Sequence, residues 1–89
     1  MEKENALVLA RAGNWAVMQV PGRRFPAACV QGDTFAGLRE QLVGAAKAQR
    51  RDPADPGALG ELDSATREVD AMLGFYEQVL VDRGIDRPY

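Results

Sequence analysis

This sequence of 89 residues predicts a small α+β domain in the order α-β-β-α-α, a β-hairpin packed on two long antiparallel helices. Three observations carry that expectation. Residues 14–30 alternate their side chains about a Pro-Gly turn, as paired strands do. Two later stretches repeat apolar residues at intervals of three and four, as amphipathic helices do. Between them Pro53 and Pro56 forbid one continuous helix.

The elements follow in order. Glu2 to Arg11 reads as a short helix, with Glu2 and Glu4 at the end where its dipole favours acids and Arg11 where it favours bases. Ala6, Leu7 and Ala10 share a face, and Gly13 suits the residue just after a helix. The run Ala6 to Ala10 is continuously apolar, which leaves a strand as the alternative. Asn14 to Val20 is a strand, with Trp15, Val17 and Gln19 on one face and Ala16, Met18 and Val20 on the other. Pro21-Gly22 supplies a turn: proline presets the first central position and glycine takes the positive φ of the second. Phe25 to Val30 returns, with Phe25, Ala27 and Cys29 on one face. Pro26 has no N–H to give a ladder and belongs at an edge. Trp15 is expected to be buried on the last helix, opposite a residue between Phe25 and Cys29, with Phe25 itself facing it across the hairpin.

Asp33 is the expected cap of a helix from about Thr34 to about Arg50, with an apolar stripe of Phe35, Leu38, Leu42, Ala45 and Ala46. The last helix runs from about Ala58 to about Arg83. Its stripe of Leu62, Ala65, Val69, Met72, Leu73, Tyr76 and Leu80 is the most regular signal in the chain. Gly84 ends it, and Ile85 folds back on the last turn as in a Schellman motif.

Composition narrows the function. The length fits one domain, residues 1–89. Net charge is −2 and the pI about 5.0, which argues against nucleic-acid binding by bulk charge. There is no histidine, and so no use of the commonest general base and metal ligand. The single Cys29 makes neither an internal disulfide nor a thiolate cluster. No cofactor and no metal are expected. No apolar run is long enough to span a bilayer, and the charged start lacks the core of a signal peptide, so a cytoplasmic location is expected.

Candidate residues divide by chemistry. Arg23 and Arg24 at the hairpin tip suit a carboxylate or phosphate partner, or keep the turn solvated. Trp15 and Met18 on the neighbouring strand suit apolar contact. Lys47, Arg50 and Arg51 join Arg23 and Arg24 in an alternative reading, a small nucleic-acid-binding regulator. Cys29, without a histidine partner, reads as a buried structural thiol. Asp63, Asp70 and Glu77 share a helix face and read as a solvated surface, with Arg67 placed to pair with Asp63. A pocket of Asp33, Arg23 and Tyr76 is the remaining enzymatic arrangement, in a core too small to favour it.

The segments Asn14-Trp15-Ala16-Val17, Pro21-Gly22-Arg23, Phe25-Pro26 and Gln31-Gly32-Asp33-Thr34 resemble the pattern of a family of small bacterial domains of unknown function. The resemblance covers the whole chain and implies the α-β-β-α-α order but no activity. Where the family has glycine after Phe-Pro, this chain has Ala27. A weaker resemblance, through Phe25-Pro26 and Gly32-Asp33-Thr34, is to the HicB-type antitoxins. It covers about a quarter of the chain, and such strand-to-helix entries also arise for structural reasons. The expected function is therefore a non-enzymatic protein–protein interaction module. An antitoxin-like or immunity-like partner protein is its narrower form. The expected contact is with a protein partner or a second copy, along the open edge of the strand Asn14 to Val20.

Overall fold

The computed structural model describes residues 3–89. Its elements are β1 (Leu7–Ala12), β2 (Trp15–Gln19), β3 (Ala27–Val30), α1 (Gly32–Arg51) and α2 (Pro56–Asp82). The class is α+β as expected, but the first element is a strand and the order is β-β-β-α-α. Glu2, where the expected first helix begins, lies outside the described residues.

The strand wins because its partner is adjacent. A helix this short is marginal alone, whereas β1 folds back on β2 across the two-residue loop Gly13-Asn14. Ala12 stands opposite Trp15 and Leu7 opposite Gln19. Gly13 has φ 59°, as the first central position of a type II′ hairpin turn requires. The three antiparallel strands lie in the order β1-β2-β3. β2 is therefore central, and the expected free edge along Asn14 to Val20 is occupied by β1.

The second connection follows the sequence more closely. Arg23 N–H donates to the Val20 carbonyl at 3.2 Å across Pro21-Gly22, and Gly22 has φ 79°, a type II turn. β3 begins only at Ala27, because Pro26 has no N–H for the ladder. Trp15 accordingly pairs with Val30, outside the expected span, and Phe25 stands before the ladder and not opposite Trp15.

The chain gathers into two compact units: the part up to Gln31 with Met72–Tyr89, and Gly32–Ala71. In the first, the end of α2 covers one face of the sheet. Val17, Tyr76, Val79 and Leu80 are buried there, with Leu9, Ala10, Phe75 and Ile85 packed around them. Val17 and Leu80 are 0% exposed; burying a side chain of this kind contributes roughly 1.5–3 kcal/mol. The Tyr76 hydroxyl donates to the Pro26 carbonyl at 2.7 Å, so this buried acceptor is satisfied. At the opposite edge of the sheet, the register shifts between Val8 and Ala10 and leaves Leu9 as a bulge, whose carbonyl accepts from Arg83 Nη2 at 2.7 Å. A bulge held by a guanidinium blunts the outer edge of β1. α2 ends in the expected Schellman motif: Ile85 N–H donates to Leu80 O at 2.9 Å, Gly84 N–H to Val81 O at 3.1 Å, and Gly84 has φ 65°. The tail then returns to α2, where Glu77 Oε2 accepts from Arg87 Nη1 and the Tyr89 hydroxyl, both at 2.8 Å.

The second unit holds α1 and the first part of α2. α1 starts at Gly32, earlier than expected, and Asp33 Oδ1 accepts from Thr34 N–H at 2.8 Å inside the first turn. α2 starts at Pro56, the position where a missing N–H costs nothing. Asp55 Oδ1 caps it, accepting from Gly57 N–H at 2.8 Å and Ala58 N–H at 3.4 Å. Leu38, Ala45, Ala58 and Ala65 are buried. Phe35, Leu42, Leu62 and Val69, expected in the same stripes, are exposed, as is Leu73 further along α2. No helix among the described residues is long and apolar enough to cross a membrane.

Two outcomes test this account. Tyr76→Phe leaves the Pro26 carbonyl without its donor and should cost about 1–2 kcal/mol, read as a lower urea midpoint. Burial pushes the Tyr76 hydroxyl above its ordinary 10.0. The folded protein thus holds this proton more tightly than the unfolded chain. Its contribution is whole below pH 10.0 and is lost as pH rises through the raised folded value. The alkaline loss of stability should therefore be shallower in Tyr76→Phe. Asp55→Ala should cost about 1 kcal/mol as a lost cap; an unchanged melting midpoint would mean that α2 starts without it.

Candidate functional site

The sheet has a second face. Because successive side chains alternate, the residues registered with Ala16 and Met18 point away from Val17. They form two rows across the strands, Val8–Met18–Ala27 and Arg11–Ala16–Cys29. Met18, Ala16, Ala27 and Cys29 are half-buried and Val8 is exposed. An open hollow of about 300 Å³ lies on this side, with Val8, Arg11, Met18 and Cys29 among its lining residues. Cys29 is a free thiol on this outer face, half-buried, and not the buried structural thiol expected.

A second open hollow, of about 650 Å³, adjoins the turn after β2. Arg23, Arg24, Phe25, Pro26, Ala27 and Pro88 contribute to it. Gln19 Nε2 donates to the Arg23 carbonyl at 2.7 Å and the Val20 carbonyl at 3.3 Å, which fixes the backbone beneath both arginines. The Arg24 guanidinium carbon lies 5.2 Å from the centre of the Phe25 ring, in cation–π range. Ala27 joins the two hollows: it lines this one and pairs with Met18, which lines the other.

The structure thus separates the four candidate binding residues by position. Met18 is on the outer face, and Arg23 and Arg24 are on the adjoining turn. Trp15 borders the first hollow, but it registers with Val17 on the α2 side, and its ring centre lies 6.4 Å from that of Phe75 at a tilt of 44°. It is half-buried, short of the burial expected. Lys47, Arg50 and Arg51 are exposed in the helical unit, with Arg50 and Arg51 in the last turn of α1 where the dipole favours them. Asp63 and Asp70 are exposed, Glu77 is engaged by the tail, and the Tyr76 hydroxyl is engaged by Pro26. Arg67 forms no ion pair with Asp63 among the described residues. Nor do three His, Cys, Asp or Glu side chains gather there as a metal site. Val8 and Arg11 escape the sequence reading because their segment reads as a helix. The signal that places them is Gly13-Asn14, a two-residue hairpin loop between apolar runs.

The residues that carry the family resemblance now have structural places. Pro21-Gly22-Arg23 forms the turn, Phe25-Pro26 leads into β3, and Gln31-Gly32-Asp33-Thr34 opens α1. A family of unknown function, DUF6959, matches residues 1–89. The chain belongs to this family. Membership of DUF6959 brings no activity with it. No curated protein and no solved structure matches the chain, and the HicB-type resemblance is not shown.

Half-burial of Trp15 sets an expectation for solution. Its emission maximum should lie between those of buried and solvated tryptophan. Trp15→Ala should cost about 2 kcal/mol, below the 3–5 kcal/mol typical of a fully buried large aromatic.

Proposed function

We propose that this protein acts by binding another protein through the outer face of its sheet and the adjoining Arg23-Arg24 turn, without chemistry of its own. The observation that carries this reading is the make-up of the outward rows. An antiparallel sheet with one face on a core ordinarily turns polar side chains outward. Here the outward set is Val8, Ala16, Met18, Ala27 and Cys29, with Arg11 its one charge. A partner with an apolar stretch for Met18 and carboxylates for the two guanidiniums has the matching chemistry. The lack of histidine weighs against catalysis. The nucleic-acid alternative is less supported: Asp52 follows Arg51 directly and Asp55 comes three residues later, which dilutes the charge of Lys47, Arg50 and Arg51.

Immobilised protein should retain a partner from an extract of its source. Met18→Lys, and separately Arg23→Glu with Arg24→Glu, should weaken that retention by about tenfold or more, while Val81→Lys on exposed α2 surface leaves it unchanged. Equal retention by all variants would overturn the assigned face.

A further inference from the structure

We infer that β3 pairs edge to edge with β3 of a second copy of this chain, joining two three-stranded sheets into one antiparallel sheet. This contact lies at a strand edge and does not rest on the partner-binding face proposed above. The two edges of the sheet are unlike. At β1 the register shifts around Leu9 and Arg83 occupies the Leu9 carbonyl, which blunts that edge. Among the described residues β3 has β2 as its one neighbour in the sheet, and Ala27–Val30 contains no charge, no proline and no register shift. Proteins seldom leave a bare edge of this kind without cover.

The hydrogen-bond phase of β3 identifies the outward groups. Gln31 N–H donates to the Asn14 carbonyl at 3.0 Å, and the same register pairs Cys29 with Ala16 and Ala27 with Met18. Main-chain groups alternate in direction along a strand, so Gln31, Cys29 and Ala27 turn theirs toward β2. Ala28 and Val30 therefore turn their N–H and C=O groups to the outer edge. Ala28 is exposed although Val17, with which it pairs, is 0% exposed, so the cover over the centre of the sheet stops short of Ala28.

These outward groups match a second copy in one register. With a two-fold axis at Cys29, Ala28 of each copy faces Val30 of the other, and each such pair exchanges both of its main-chain bonds. Moving the axis to Ala28 sets Val30 against Pro26, which has no N–H and whose carbonyl is taken by the Tyr76 hydroxyl. Moving it to Val30 sets Ala28 against Gly32, already inside α1. β3 is thus self-complementary about Cys29 alone. The two Cys29 residues face each other without mutual main-chain bonds, their Cα atoms about 4.5 Å apart. Charge favours the same arrangement. Arg23 and Arg24 come just before β3 and Asp33 just after it, all exposed, and none has an ion pair among the described residues. Antiparallel pairing brings the basic turn of each copy to the same end of the joined sheet as Asp33 of the other.

Light scattering after size exclusion, over a concentration series up to the millimolar range, tests this on the purified, reduced chain. The expected mass is twice the 9.7 kDa of one chain. The Ala28 and Val30 amides should exchange with solvent about tenfold or more slowly in the dimer than in dilute protein. Ala28→Pro removes an outward N–H and none from the ladder with β2, and Ala28→Lys puts a charge at the edge while circular dichroism stays unchanged. Each should raise the dissociation constant by about tenfold or more, and Val81→Lys should leave it unchanged. A bis-maleimide of short span should link the two Cys29 thiols of the dimer. A parent that stays monomeric throughout the series overturns the proposal. So does a dimer indifferent to both Ala28 variants, or one whose Cys29 thiols are not linked. Ala28 and Val30 amides that are slow even in dilute protein would mean that the edge is covered within the chain, and would overturn it equally.

Discussion

The bond from the Tyr76 hydroxyl to the Pro26 carbonyl fixes where the third strand meets α2. Proline gives the ladder no donor at that position, and its buried carbonyl needs one. Tyr76 supplies it from a ring that also helps to close the core around Val17. Just past the end of α2, Arg83 reaches the Leu9 carbonyl on the opposite outer strand. Between these two, Val79 and Leu80 pack with Val17 on the central strand. The end of α2 and the residue just after it therefore hold the sheet at its middle by apolar contact and at both flanks by hydrogen bonds. A sheet of three short strands depends on such support.

Much of this was legible in the sequence. Pro21-Gly22, the Schellman end at Gly84-Ile85 and the two long helices all rest on local backbone requirements, and local requirements can be read locally. The first strand could not be read that way. Leu7–Ala12 has no decisive period, and Gly13 satisfies a helix end and a type II′ turn equally, since both call for positive φ. Pairing with β2 decided between them. The cap at Asp55 was within reach, since an acid followed by proline at a helix start is a recognised signal. Of the candidate site, the Arg23-Arg24 turn and Met18 were visible, while Val8 and Arg11 were hidden behind the helix reading.

The helical stripes show a different kind of limit. Periodicity reports which side chains need cover, not which molecule provides it. Leu38 and Leu42 are equally good stripe residues; Leu38 is buried within the chain and Leu42 is not. The same holds for the alternation in β2, where Val17 is covered by α2 and Met18 is turned to the other face.

The two bonds from Tyr76 on α2 and from Arg83 just beyond it end on main-chain carbonyls, those of Pro26 before β3 and Leu9 in β1. Such anchors place no demand on the side chains that the strands turn outward. Val8, Ala16, Met18 and Cys29 thus take no part in the two bonds that tie the scaffold beneath them. A substitution on the outward surface can therefore change what that surface offers to a partner without touching the bonds that hold the sheet in place.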